Sequence, residues 1–306
     1  MTLPTSCPGK QKGIAVVTAI LIAAMVASLA FALTARERQW LNQLENRNDL
    51  SAAQAAAFAA IDLARLTLRD DMRSSQVDDL LEPWTIPVPP INVDEGLVSG
   101  RIVELQGRFN LFNLQSGGKI SETGLITMQR LLATRNLPTE WAEKIAVAVT
   151  AQALQIELQA SRTKTKARNK LLPLANLSEL SDLTGIDAGK LAVLEPLLVM
   201  LPEATAVNVN FAPPEVLMAV TPGLSSGDAD RLVGRRSSTP FKSIQAFTNA
   251  LPERLRTTSV TSNYTVESQY FLSEVETSFG RARVRMQALI YRQRNRIPSL
   301  IWVRRV

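Results

Sequence analysis

The chain holds no histidine and one cysteine, Cys7. Those counts remove the commonest general base, the commonest metal ligand and every Ser-His or Cys-His nucleophile pair. A lone cysteine also excludes a disulfide framework within the chain and any metal site built from several thiolates. Carboxylate-only chemistry stays open, yet the composition argues against an enzyme, and no catalytic residue, cofactor or metal site is expected. The formal net charge of +6, to which Lys10 and Lys12 contribute, is small for 306 residues and demands no nucleic-acid partner.

The most reactive-looking position is one to be acted upon. Lys10-Gln11-Lys12-Gly13 runs directly into Ile14-Ala15-Val16-Val17-Thr18, and residues 13–35 carry no charge. At helical rise that stretch is about 35 Å long, against a bilayer core of about 30 Å. One reading is a secretory signal peptide cut at Ala30-Phe31-Ala32, although the apolar run exceeds the usual length. A second is an uncleaved membrane anchor. A third comes from likeness: a basic stub, a glycine and an apolar helix without a spacer resemble the class III leader of type IV prepilins and pseudopilins. That resemblance implies cleavage by a prepilin peptidase between Gly13 and Ile14, leaving a methylated Ile14 and a mature chain without Cys7. Lys10 and Lys12 on one side, and Arg36, Arg38 and Arg47 on the other, give no inside-positive bias. A cytoplasmic N-terminus, with the remaining domains in the periplasm, is therefore what the resemblance implies.

Thr18 would be the fifth mature residue. Most pilin-like subunits carry Glu there, where it is thought to neutralise a neighbour's amino terminus inside the apolar filament core. A threonine in a membrane helix ordinarily bonds back to a carbonyl of its own helix. Its presence in place of Glu resembles the K-type minor pseudopilins of type II secretion, and implies a subunit with no neighbour above it.

The elements that must carry this segment follow. From Arg36 to Arg69 there is neither Gly nor Pro, and Leu50, Ala57, Ile61, Ala64 and Leu68 fall on one helical stripe. An amphipathic continuation through about residue 72 is expected, then a proline-rich connector at residues 83–90. Residues 96–105 read as a strand or hairpin. Gln106-Gly107-Arg108-Phe109-Asn110-Leu111-Phe112-Asn113-Leu114 closely resembles a segment of the K-type pseudopilins; it reads as a structural joint whose asparagines bond local backbone. Helices are expected at residues 123–135 and 139–159, with a solvated basic loop at residues 161–168. Val207-Asn208-Val209-Asn210-Phe211-Ala212-Pro213-Pro214-Glu215 also resembles that family. Here Asn210 reads as an N-cap region residue, Pro213 and Pro214 preset a helix start, and Glu215 favours its first turn.

Thr221-Pro222-Gly223-Leu224-Ser225 before Ala229-Asp230-Arg231 looks like a helix-hairpin-helix unit, with Arg231, Arg235, Arg236 and Lys242 nearby. This supports an alternative from another class: a membrane-tethered nucleic-acid binder, as in DNA uptake. The hairpin has Gly223-Leu224-Ser225 in place of a Gly-x-Gly turn, and the fold is reused without nucleic acid. Residues 264–277 and 281–291 return to strand patterning, with a turn at Ser278-Phe279-Gly280 and Arg283 and Arg285 facing Glu274 and Glu276. The terminal Ile301-Trp302-Val303 is an edge strand or docking tail.

Leader, helix, joint and Asn-Val-Asn element together resemble the general secretion pathway protein K family. The resemblance implies an α+β fold: a long transmembrane and amphipathic helix on a small antiparallel pilin-like sheet, with a large inserted all-α domain. The expected division is a leader at 1–13, a transmembrane helix at 14–35, its continuation at 36–72, a β domain at 73–118 and 256–306, and an inserted helical domain at 119–255. The implied partners are the I- and J-type minor pseudopilins and the pseudopilus, the prepilin peptidase and the bacterial inner membrane, with no nucleic acid expected. Implied too is a role at the pseudopilus tip, initiating assembly and assisting export of folded proteins. Some members bind calcium at an acidic stretch of the helical domain. Here Ala146-Val147-Ala148-Val149-Thr150-Ala151-Gln152 and a basic loop stand in its place, so no calcium is expected there and apolar packing alone is expected to hold the domain.

Overall fold

The computed structural model describes residues 12–162, 177–257 and 260–306; Lys10 and the basic run at 163–170 lie outside them. With no proline in its sequence and no glycine after Gly13, α1 (Lys12–Ser74) continues unbroken for 63 residues. Residues 14–48 are exposed throughout. Beyond Asp49 the expected stripe turns inward, and Ala53, Ala57, Ile61, Ala64 and Leu68 are buried.

The stripe packs on a five-stranded antiparallel sheet of order β1-β2-β9-β10-β11. Its strands are β1 (Val88–Val93), β2 (Gly96–Glu104), β9 (Tyr270–Phe279), β10 (Ala282–Tyr291) and β11 (Ser299–Arg305). Period-two alternation sets the faces. Val275, Val284, Met286 and Ala288 meet α1, whereas Arg283 and Arg285 point to solvent. Arg285 reaches Glu276 at 3.3 Å and Arg101 reaches Glu274 at 2.5 Å; both pairs are exposed enough to contribute little. The β9–β10 turn is Gly280-Arg281, so that Ser278 and Phe279, expected in the turn, are instead the last residues of β9. Gly280 has φ +49°, and a side chain there would collide with the Asp49 carboxylate. That carboxylate accepts from Arg281 N at 3.1 Å, pinning the turn to α1.

The connector expected at 83–90 is instead a short 3-10 turn, Pro83–Thr85, followed by β1. Pro89 and Pro90 fit because they fall at the irregular register between Val88 and Ile91 on the outermost strand, where a missing N–H is tolerated.

Between β2 and β9 the described residues form small ladders and eight α-helices. The short strands are β3 (Phe109–Asn110), β4 (Gln115–Ser116), β5 (Lys119–Ile120), β6 (Leu198–Val199), β7 (Val207–Asn208) and β8 (Tyr264–Thr265). The helices are α2 (Glu122–Thr134), α3 (Trp141–Arg162), α4 (Leu177–Thr184), α5 (Ala188–Ala192), α6 (Pro214–Val220), α7 (Ser226–Ser238), α8 (Ile244–Ala250) and α9 (Glu253–Arg256). One core joins them, built from Phe109, Leu111, Leu114, Met128, Leu131, Ile145, Val149, Leu217, Phe241 and Phe247. Residues 146–155 lie inside α3, with Ala146, Ala148 and Val149 buried. A helix so packed, with no carboxylate in that stretch, does not fit a calcium site.

The strand ends set the layout. The β9–β10 turn sits beside Asp49, while Arg292, just past β10, bonds Asp71 at the end of α1. The chain leaves β2 at Glu104 and returns at Tyr270, and Glu104 pairs with Phe271. The helical insertion is thus mounted on the end of α1 remote from its apolar half.

Candidate functional site

Two places in the molecule have distinctive chemistry: the bare half of α1 and a buried polar joint at its far end. In the first, Ile14 is 70% exposed and the run to Ala35 is uncharged. The Thr18 hydroxyl contacts two carbonyls of its own helix, Ile14 O and Ala15 O, each at 3.0 Å. It offers no charge to a neighbour. Gly13 lies in the backbone of α1, adjoining Lys12.

The joint begins at Glu104. Its carboxylate accepts from Gln106 N and Gly107 N, each at 2.7 Å, and from the Ser268 hydroxyl. Burial nonetheless pushes it up to about 7. Gly107 is required by close approach, since a Cβ there would lie 2.7 Å from the Phe211 Cβ. Arg108 is half-buried beside it. Phe109 turns into the helical core.

Asn110 and Asn113 form a clamp rather than bonding local backbone alone. Asn110 Nδ2 donates to Glu203 O at 2.7 Å, and its Oδ1 accepts from Leu201 N and Phe112 N. Asn113 exchanges two bonds with the Thr205 backbone, at 2.8 and 3.0 Å. Apolar packing is therefore not alone in holding the insertion. Asn208 Nδ2 donates to Ser268 Oγ at 2.8 Å, and its Oδ1 accepts from Asn210 N. Asn210 is not a helix cap. It is buried, donates to Asp78 O and Phe241 O, and accepts from Phe241 N at 2.9 Å. Pro213 and Pro214 do open α6, as cap and first residue, and Glu215 pairs with Arg135 at 2.9 Å.

Arg292 is the joint's centre of charge. Fully buried, it pairs with Asp78 at 2.5 Å and Asp71 at 2.8 Å, donates to Ser268 O, and lies over the Phe271 ring at 4.5 Å. Burial raises Asp78 to about 6 despite the guanidinium, and raises Asp71 as well. Burial, with the Asp71 charge beside it, takes Glu82 up to about 8. Carboxylate oxygens of Asp71, Asp78 and Glu82 lie within 4.8 Å of one another. Arg292 already supplies a positive charge there. Sequence reading missed Glu104, Asp78, Ser268 and Arg292. The last carried a weak signal, a charge closing the apolar run Ala288-Leu289-Ile290-Tyr291.

The α6–α7 hairpin forms around Gly223, at φ +81°. Its cations are engaged: buried Arg236 donates to Val209 O at 2.6 Å, Lys242 pairs with Asp79 at 2.9 Å, and Arg235 lies over the Phe241 ring. The first turn of α7, where a phosphate would sit, holds Asp228. The Ser225 hydroxyl and Arg254 hold that carboxyl down at about 2, together with Arg231.

Comparison with known proteins converges. Family models described as type II secretion system protein K match residues 107–203 and 207–267. The type II secretion system protein K of Pseudomonas aeruginosa is 27% identical, over 89% of this chain and 86% of that one. Its counterpart from Klebsiella pneumoniae is 26% identical, over 93% of each. Among solved structures, the GspK-GspI-GspJ complex of the enterotoxigenic Escherichia coli type 2 secretion system matches with a TM-score of 0.65 at 18% identity, covering 89% of this chain and 99% of that one. The chain belongs to the type II secretion system protein K family and is a pseudopilin of type II secretion.

Proposed function

We propose that this pseudopilin is cut after Gly13, held in the bacterial inner membrane by residues 14–35, and assembled at the tip of the pseudopilus. Its globular part lies in the periplasm. There it joins I- and J-type minor pseudopilins, as the complex of the structural relative suggests, and initiates assembly for export of folded proteins. The role is mechanical rather than enzymatic. One observation carries the reading: the helical insertion is fixed to the end of α1 farthest from its apolar half, through Glu104, Asp78 and Arg292. In a filament built from parallel α1 helices, that bulk lies where the next subunit would be added. An uncharged Thr18 agrees, because a subunit with nothing above it has no amino terminus to neutralise. Mass spectrometry of the mature chain tests the first step. A methylated Ile14 supports it; a start at Leu33 or Met1 contradicts it. The nucleic-acid alternative gains nothing from the α6–α7 hairpin, whose anion position is filled by Asp228.

A further inference from the structure

Away from the charged joint, the insertion carries a cleft of about 400 Å³, within the size range of small-ligand sites. Four segments meet there: β4, the first turn of α2, residues 204–207 and the turn at residues 262–263. Asn113 and Thr205, the partners of the clamp, are part of its wall. None of the described residues lining it is charged. A phosphate, carboxylate or ammonium group would find no counter-charge among them. The start of α2 offers no anion seat, because Ser121 Oγ already accepts from Gly124 N.

Several hydrogen-bonding groups of this lining are uncommitted. Gln115 is only 9% exposed. Its Oε1 accepts from Gly118 N at 3.3 Å, which leaves Nε2 as a donor without a partner among the described residues. An enclosed amide donor left unpaired is costly, so a ligand that supplies an acceptor gains from it. The side chains of Ser116, Thr123, Ser262 and Asn263 likewise make no hydrogen bond among the described residues. Hydroxyls and carboxamides both donate and accept. Ala204 and Ala206 set methyl groups between them. Such a lining suits an uncharged molecule with several hydroxyls, one amide carbonyl and a small apolar group. A peptide strand is matched less well, because it follows a row of main-chain partners, whereas these groups are side chains from separate segments.

We propose that this cleft binds an uncharged N-acetylated sugar. The acetamido carbonyl accepts from Gln115 Nε2, its methyl group meets Ala204 and Ala206, and the ring hydroxyls are left to Ser116, Thr123, Ser262 and Asn263. A sugar without the acetamido group leaves Gln115 unpaired, and one with a free ammonium brings a charge that nothing in the lining offsets. The site is independent of where the subunit sits in a filament.

Saturation-transfer NMR titration of the full chain tests this, in micelles of a detergent without a sugar headgroup. The probe is diacetylchitobiose, the neutral dimer of N-acetylglucosamine. It is expected to bind with a Kd of about 1 mM or tighter. Cellobiose, which lacks the acetamido groups, and the deacetylated, cationic dimer are each expected to bind about tenfold more weakly. Gln115→Glu keeps an acceptor for Gly118 N but removes the donor, and should weaken diacetylchitobiose about tenfold. The sugar series needs no variant and decides the matter even if that one fails to fold. No binding of diacetylchitobiose at about 10 mM, or equal binding of the three sugars, overturns the proposal. So does unchanged affinity in folded Gln115→Glu, or a capped neutral alanine tripeptide that binds as tightly as the acetylated dimer.

Discussion

The two ends of α1 solve opposite solvation problems. From Ile14 to Ala35 the helix is apolar, uncharged and bare, and its one early hydroxyl, on Thr18, is satisfied within the helix. Around Asp71 the same helix ends in a buried nest of carboxylates and one guanidinium. The first end is shaped for a surrounding that tolerates no charge; the second encloses charge so that two parts of the molecule stay in register. One is specified by composition, the other by pairing. A substitution should therefore be tolerated or not according to which rule it breaks.

Removing the guanidinium breaks the pairing rule most severely. Arg292→Ala leaves Asp71 and Asp78 buried without a counter-charge, and should cost about 3–5 kcal/mol in a denaturant titration. If the loss were under about 1 kcal/mol, the joint would be a surface-like pair after all. The composition rule is broken by Met25→Asp, a carboxylate midway along the bare segment. It should cost about 2.5–3.5 kcal/mol of membrane insertion, read as increased extraction from membranes at high pH. Asn208→Ala removes bonds to Ser268 Oγ and Asn210 N, and should destabilise the chain by about 1–3 kcal/mol.

The joint also has a pH signature. Glu104 is raised to about 7, Asp78 to about 6 and Glu82 to about 8, so the folded state keeps protons that the unfolded chain has released. Stability contributed by these groups is fully present below their ordinary carboxylate range. It is lost as pH rises through about 6 to 8. Glu104→Gln should flatten the stability profile up to about pH 7; an unchanged slope would show that Glu104 is not the proton holder. At the small end, Thr18→Ala should change assembly by no more than about 0.5 kcal/mol, roughly twofold. A large effect would mean that Thr18 bonds a neighbour rather than its own helix.

Legibility in the sequence follows the same divide. The bare helix and its inward stripe could be read because each depends on residues a few positions apart, as Ala57, Ile61, Ala64 and Leu68 show. The alternating Arg283, Val284, Arg285 and Met286 disclosed a strand with one wet face for the same reason. The joint could not be read, because Arg292 meets Asp78 across 214 residues and Ser268 meets Asp78 across 190. Asn110, Asn113, Asn208 and Asn210 were noticeable as types, yet their long-range partners at Glu203, Thr205, Ser268 and Phe241 were not. Asn210 misled because an asparagine before a proline pair looks like a cap, while its amide is used between Asp78 and Phe241. Pro89 and Pro90 misled because prolines suggest a linker, and only the register of an edge strand shows where they are harmless.

The tip position is tested most directly by locating this subunit along isolated native pseudopili. Gold labelling through a tag at the C-terminal Val306 should give a single label at one end of each filament. Labels spread uniformly down the shaft would contradict the claim that the insertion bars the next subunit.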